Sequence, residues 1–427
     1  MNSIAQQRIT DTEEPATVPP CPHFGPCGGC QLQNLAYPAQ LELKSTRLRA
    51  LLDATRLTLP ELQLHASPPL GYRNRIRLTL AETAGQLRAG YLTAAPLEPS
   101  NLEPRTSNLA FLPITQCPIA APILWRVTES LLALIHADPI PWLRNPHFKL
   151  DQLELFTAAD ESALQFTLYV RTAAKTLPAK LDASFTALCE TLRTHAPEVT
   201  GAGIAILPIA SSQRSRRTEL APTGPTWGAP GLTYSFAGPN GQRSTGDGQL
   251  SFWVPRAAFF QVNRFLLPEL LALVARDPAI AAARTGGLAW DLYAGVGLFT
   301  RALAPHFARV TAVEIAEPSF TALASTKLPS VHAVKATTLD FLRAAVVDRD
   351  RPDLIVLDPP RTGAGPEVCG LLGRIAAPTL IYVSCSPETL PADLTTLAAS
   401  GYTVAQLHLL DLFPQTTHIE TVAVLTR

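Results

Sequence analysis

Charge is scarce in this chain. Of its 427 residues, 16% are Asp, Glu, Lys or Arg, against 47% hydrophobic. A largely disordered polymer needs the opposite balance, so that class is excluded and a sizeable core is available. Neither sign is in excess, with Lys+Arg and Asp+Glu at 35 each. Neutrality excludes a histone-like coat on nucleic acid but leaves room for local basic patches. No apolar run is long enough to span a bilayer. The opening MNSIAQQRITDTEEP is polar and acidic, unlike a secretory signal. Glycine is outnumbered by proline, 24 to 39, which implies many rigid loops. These absences point to the cytoplasm and no membrane partner. The seven cysteines would stay reduced there unless they bind metal.

The length suggests two or three domains. Residues 1–20, with Pro15, Pro19 and Pro20, read as a disordered leader. Residues 21–62 hold CPHFGPCGGC and then a helical pattern over Pro38–Ala54, with Leu41, Leu48, Leu51 and Leu52 near one face. Residues 63–250 are mainly strand-like. YRNRIRLTL alternates, placing Ile76, Leu78 and Leu80 on one face and Arg73, Arg75 and Arg77 on the other. DQLELFTA, ALQFTLYVR, GIAILPIA and LTYSFAG continue the strand pattern. APLEPSNLEPRTSNLAFLP reads as a loop, and SSQRSRRTEL as a basic one. From about Ser251 to the end, strands (LAWDLY, ARVTAVEI, PDLIVLD, LIYVSC) alternate with helices, among them Leu298–His306 and Pro366–Ile375. That is the grammar of an open parallel α/β sheet. GYTVAQLHLLDLF and IETVAVLTR would finish it as an antiparallel pair.

DLYAGVGLFT follows a strand and opens a helix. Gly295 and Gly297 allow close backbone approach to a ligand. Glu314, ending the next strand, would accept hydrogen bonds from ribose hydroxyls. Thr300 occupies the third position of a dinucleotide glycine motif, and the Asp-x-x-x-Gly-x-Gly spacing from Asp291 is more typical of S-adenosylmethionine sites. Asp358 of DPPR ends another strand, where open α/β sheets bind ligands. Amino-directed methyltransferases usually carry an aromatic residue where Arg361 stands, so DPPR argues against nitrogen methylation. Cys385 ends the run LIYVS and Glu420 opens the last strand. A thiol and a carboxylate so placed suit covalent catalysis, one attacking and the other moving a proton. Cys21, Cys27 and Cys30, with five and then two residues between them, suit a metal centre. Cys117 is the best fourth ligand, and spacing leaves zinc and iron–sulfur both open. Cys189 and Cys369 fall in helical patterns and read as buried and inert.

HFGPCGGCQLQNLAYPAQLELK, GYRNRIRL, FFQVN, DLYAGVGLFT, VLDPPRTG, YVSCSPETL and HIETV follow in one order. In these motifs, from Cys21 to its end, the chain resembles the RNA uridine-5-methyltransferases. It resembles most the iron–sulfur-bearing branch acting on 23S ribosomal RNA. The resemblance implies a Rossmann-like class I methyltransferase domain over 251–427, a β-rich central RNA-binding domain over 63–250 that includes the fourth cluster cysteine, and an N-terminal iron–sulfur segment. It implies transfer of a methyl group from S-adenosylmethionine to carbon 5 of a uridine through a covalent cysteine–uracil adduct. Cys385 would be the nucleophile and Glu420 the base. Gln261, Tyr293, Gly295, Gly297, Glu314 and Asp358 would line the cofactor and target-base site. A [4Fe–4S] cluster would sit on Cys21, Cys27, Cys30 and Cys117. A monomer acting on RNA is expected.

Other readings are a transfer RNA uridine-5- or RNA cytosine-5-methyltransferase, or an inactive iron–sulfur RNA-binding protein. The chain departs from the family pattern in places. Leu298 stands for a frequent Asn, Thr337 for a polar contact near the adenine end, and Pro391 for a common Arg. The segment from Glu314 to Asp358 is short, and there is no room before Cys21 for a small RNA-binding barrel. Arg73, Arg75, Arg77 and the Arg214, Arg216, Arg217 loop are candidate phosphate contacts.

Overall fold

The computed structural model describes residues 17–94, 109–137, 148–172, 180–208, 224–238, 249–275 and 287–427. The first helix is α1 (Tyr37–Asp53), followed by β1 (Leu62–His65), β2 (Arg75–Thr83), β3 (Gln86–Ala94) and β4 (Leu109–Pro113). Then come α2 (Pro122–Ala137), β5 (Phe148–Thr157), β6 (Leu164–Thr172), α3 (Leu181–His195), β7 (Val199–Pro208) and β8 (Thr226–Gly228). A hairpin of β9 (Gly231–Ala237) and β10 (Gln249–Pro255) leads to α4 (Leu267–Ala275). The last part runs β11 (Leu288–Leu292), α5 (Leu298–Leu303), β12 (Arg309–Glu314), α6 (Ser319–Ala324), β13 (Val331–Lys335), α7 (Thr338–Asp348) and β14 (Leu354–Leu357). It finishes with α8 (Gly365–Ile375), β15 (Thr379–Ser384), α9 (Leu390–Ala399), β16 (Thr403–Leu410) and β17 (Glu420–Thr426).

The large sheet has the order β1-β16-β17-β15-β14-β11-β12-β13. Strands β11 to β15 pair in parallel, and β17 is inserted antiparallel between β15 and β16. Continuous apolar runs such as LIVL in β14 and TLIYVS in β15 fit this place, because helices cover both faces and every residue of the two strands is buried. The chain steps from β11 outward to β13, then returns to place β14 on the other side of β11. That reversal opens a crevice at the carboxyl ends of β11 and β14, the usual ligand position of such sheets.

A second sheet, β4-β3-β2-β5-β6-β7-β8, forms the central unit. Helices α2 and α3 cover its inner face, with Leu124, Val127, Leu131, Phe185 and Leu192 inside the core. The aromatic residues of the β9–β10 hairpin join Phe156 and Phe260 in a core continuous with one face of the large sheet.

Several expectations need correction. The loop expected over 95–113 ends in a strand, β4, which pairs with β3; residues 95–108 lie outside the described residues. The basic loop with Arg214, Arg216 and Arg217 also lies outside them. The helix expected over Leu298–His306 stops at Leu303. The buried face of α1 is Gln40, Lys44, Ser45, Leu48 and Leu52, while Leu41 and Leu51 are half-buried. The face is polar because it meets a loop rather than an apolar sheet. Leu62–His65 also joins the large sheet, parallel to β16, so the chain entering the central unit first adds an edge strand to the other sheet.

Candidate active site

Asp291, next to last in β11, is fully buried and accepts a hydrogen bond from Thr300 Oγ1. Burial pushes its carboxyl up to about 7, opposed by the Thr300 hydrogen bonds. Next comes Tyr293 at φ 63°, a left-handed backbone that a non-glycine residue adopts at a strain of roughly 1–3 kcal/mol. Gly295 has φ 57°, and a Cβ built there would meet nothing within 4 Å. The loop surface at Gly295 is therefore open to a ligand. Gly297, at φ 91°, has no such freedom: a Cβ would lie 2.9 Å from Leu323 Cδ1. Gly295 N donates to Glu314 Oε2 at 2.8 Å, and the N–H groups of Ile315 and Ala316 donate to Glu314 Oε1 at 2.7 and 2.6 Å. Glu314 therefore fixes the glycine loop, a role that spacing did not reveal. These residues fit a nucleoside cofactor: open backbone at Gly295, a carboxylate at the next strand end, and a buried acid beneath.

Across the crevice, Asp358 follows β14, and Gln261 Nε2 donates to its Oδ2 at 3.5 Å. Ser384 of β15 pairs with Thr421 of β17, which puts Cys385 and Glu420 at the same end of neighbouring strands. Asp358, after the next strand over, completes a group of one thiol and two carboxyls. Burial pushes the Cys385 thiol up to about 12, helped by the charges of Glu420 and then Asp358, while the Arg361 guanidinium opposes the shift. Burial likewise raises Glu420, with Asp358 adding and Arg361 subtracting. Asp358 is pushed up to about 7 by burial and by Asp291. The exposed Arg361 was read from sequence as a missing aromatic residue. In the structure it is the counter-charge to the acids.

Two departures acquire structural reasons. Thr337 is the N-cap of α7, its Oγ1 accepting from Asp340 N at 3.1 Å. Pro391 lies in the first turn of α9, where a missing N–H does no harm. Leu298 is buried in the core.

The second cluster of functional side chains lies apart from the crevice. Cys21, Cys27, Cys30 and Cys117 line one cavity of about 310 Å³, together with Arg73 and Tyr91. All four are free thiols. Among the described residues no group of three or more His, Cys, Asp or Glu is disposed to hold a metal ion. Burial raises Cys30 to about 11, and the charges of Cys117, Cys27 and Cys21 add to it. Four thiolates in one cavity would repel one another without a cationic group among them. Four sulfur donors facing one cavity are of the kind that both zinc and iron–sulfur groups take.

Of the sequence-predicted arginines, Arg75 and Arg77 have partners inside the central unit. Arg77 donates from Nε to Glu154 Oε2 at 2.7 Å and stacks over Tyr169, while Arg75 meets Glu154 and covers Phe156.

The glycine loop at the switch point, the acid ending β12, and the thiol and carboxyls at the ends of β14, β15 and β17 are the arrangement expected of an S-adenosylmethionine-dependent methyltransferase. The tRNA (Uracil-5-)-methyltransferase family model matches residues 244–427. A 23S rRNA (uracil(1939)-C(5))-methyltransferase of Halomonas elongata is 30% identical over an alignment 422 positions long that covers 95% of this chain and 76% of that one. Its counterpart in Chromohalobacter salexigens is 29% identical, over 99% of this chain and 78% of its own. In fold the chain is similar to the Pyrococcus abyssi tRNA (uracil-54, C5)-methyltransferase, solved in complex with S-adenosyl-L-homocysteine. The TM-score is 0.66 at 22% identity, covering 93% of this chain and 86% of that one. The chain belongs to the RNA uracil-5-methyltransferase family and is an S-adenosylmethionine-dependent RNA (uracil-C5)-methyltransferase. Among the described residues no helix is long and apolar enough to cross a membrane.

Proposed function

We propose that the chain methylates carbon 5 of a uridine in 23S ribosomal RNA through a covalent adduct with Cys385. The observation that carries this reading is the placement of Cys385 and Glu420 at one end of paired strands, with Asp358 beside them. The thiol proton passes to the Asp358 carboxylate as sulfur adds to carbon 6 of uracil. The electron pair of the 5,6 double bond then resides on the enolate, which makes carbon 5 nucleophilic. S-adenosylmethionine, when bound, supplies the methyl group. After carbon 5 has taken it, Glu420 removes the carbon 5 proton. The freed electron pair restores the double bond and expels Cys385. Gly295, Gly297, Tyr293 and Glu314 hold the nucleoside end of the cofactor, and Gln261 and Asp358 face the base. The target must be unpaired or flipped, because a stacked base hides the face that is attacked.

The ribosomal target is supported by the substrates named for the Halomonas and Chromohalobacter relatives. A [4Fe–4S] cluster on Cys21, Cys27, Cys30 and Cys117 is supported by four free thiols around one cavity. The cluster would hold the N-terminal segment in place, and no step of methyl transfer passes through it. The division into 21–62, 63–250 and 251–427 is retained, with α1 and β1 attached to the catalytic sheet. Reduced thiols and an RNA substrate fit the cytoplasm.

The test is labelled methyl transfer to RNA. Cys385→Ala is expected to lose methylation by at least ~1,000-fold, as removal of a covalent nucleophile does, while still binding S-adenosylmethionine. RNA carrying 5-fluorouridine is expected to trap the wild-type enzyme, because fluorine cannot leave as a proton. Near-normal turnover by Cys385→Ala would end the covalent mechanism. Mapping 5-methyluridine in ribosomal and transfer RNA, with and without the gene, identifies the target.

A further inference from the structure

Glu420 is the first residue of β17, opposite Leu410, the last of β16. Residues 411–419 form the connecting loop. Glu420 is 2% exposed, and its Oε1 makes no hydrogen bond among the described residues. The place of its carboxylate therefore depends on the backbone that carries it, and so on the loop.

That loop is gripped from the N-terminal part of the chain. Lys44 of α1 donates to Asp411 Oδ1 at 2.6 Å and to the carbonyl of Phe413 at 3.0 Å. Both charged side chains are buried, at 2% and 0% exposure. Gln40 and Gln415 exchange two hydrogen bonds: Gln40 Nε2 donates to Gln415 Oε1, and Gln415 N donates to Gln40 Oε1, each at 2.9 Å. The N–H groups of Gln31 and Leu32, directly after Cys30, both donate to the Gln415 carbonyl at 3.0 Å. Gln31 Oε1 accepts from Thr417 N at 3.3 Å. A helix that needed only to cover this face would do so more cheaply with leucines, since a buried ion pair gains little net stability over apolar packing. What directed polar contacts add is one fixed register between helix and loop.

We infer that Gln40 and Lys44 are positioning residues for Glu420, holding the loop so that the carboxylate reaches the carbon 5 proton. The inference rests on the reading of Glu420 as the base. It has a specific consequence. Cys385 directly follows β15, outside the gripped loop, so attack and methyl transfer should survive a loosened loop. Proton removal should not, and the methylated adduct should persist with its carbon–sulfur bond unbroken.

The experiment compares Gln40→Ala, the double variant Lys44→Met/Asp411→Leu, and Glu420→Gln. The double variant removes the ion pair without leaving a lone buried charge. Each is incubated with S-adenosylmethionine and ordinary uridine RNA, and covalent protein–RNA species are counted on denaturing gels beside turnover and thermal unfolding. The expected result is kcat lowered ~10- to 100-fold in the first two variants, the range for a catalytic group displaced by a fraction of an ångström to an ångström. KM for S-adenosylmethionine is expected to hold, and adduct to accumulate as in Glu420→Gln. Should Gln40→Ala not fold, Gln31→Ala, which removes the exposed acceptor of the Thr417 N–H, should show a weaker form of the same signature. Normal turnover in folded variants overturns the inference. So does reduced turnover without adduct when Glu420→Gln does accumulate it, since that pattern means lost stability alone. Absence of adduct in Glu420→Gln itself removes the base assignment and the inference with it.

Discussion

A thiol half-buried beside two carboxyl groups is a reluctant nucleophile. Cys385 becomes reactive only if its proton has a nearby acceptor, and Asp358, pushed up to about 7, is suited to accept and return a proton near neutral pH, while burial raises the Glu420 carboxyl as well. The same burial has a thermodynamic consequence at Asp291. Its folded pKa of about 7 lies above the ordinary 3.8, so between those values the native state keeps a proton that the unfolded chain releases. The unfolded state then binds fewer protons, and stability falls as pH rises through that window. Asp291→Asn should match the wild type in urea unfolding near pH 4. Above pH 7 it should be more stable by on the order of 2–4 kcal/mol. Equal midpoints at high pH would show that Asp291 ionises freely in the fold.

At the scale of elements, β2 carries the alternation read from its sequence, but the polar face has inward obligations. Arg75 and Arg77 share Glu154 across β2 and β5, and each stacks on an aromatic ring. A guanidinium held by a carboxylate and a ring has little left for a phosphate. Arg75→Ala/Arg77→Ala is therefore expected to lower the thermal midpoint. Its log–log salt slope for RNA binding should stay near the wild type, where two lost single-strand phosphate contacts would flatten it by roughly 1.4. A flattened slope with an unchanged midpoint would restore these arginines as RNA contacts. Helix α1 shows the converse case: its leucine pattern was legible, yet Gln40 and Lys44 take the most demanding contacts because a loop, not a sheet, lies opposite.

At the scale of the whole molecule, the cysteine segment and the catalytic sheet are far apart in sequence and joined in space. Gln31 and Leu32, next to Cys30, bond to Gln415, close to Glu420. Loss of the cysteine cavity should therefore be felt in the catalytic domain. Protein purified without oxygen is expected to be brown and to hold about four iron atoms per chain, as a four-cysteine cubane requires. Cys30→Ser should lose the iron and lower the thermal midpoint. Stoichiometric zinc without iron would overturn the cluster.

The amino-acid sequence alone determined what depends on local pattern. Apolar runs set the parallel strands, glycines at positive φ set the loop after β11, and residue types at strand ends marked Asp358, Cys385 and Glu420. Those features follow from neighbours along the chain, and the resemblance to RNA uridine-5-methyltransferases was carried by the same short motifs. Tertiary structure decided everything that depends on what comes opposite. Strand β1 joined the catalytic sheet because β16 left an edge to pair. Glu314 became the clamp of Gly295. Arg361 became the counter-charge of a buried acid group, and Lys44 the partner of Asp411. Such roles are fixed by burial and by groups brought together across the fold, over 19 residues for Gly295 and Glu314 and over 367 for Lys44 and Asp411, and the short motifs do not contain both partners.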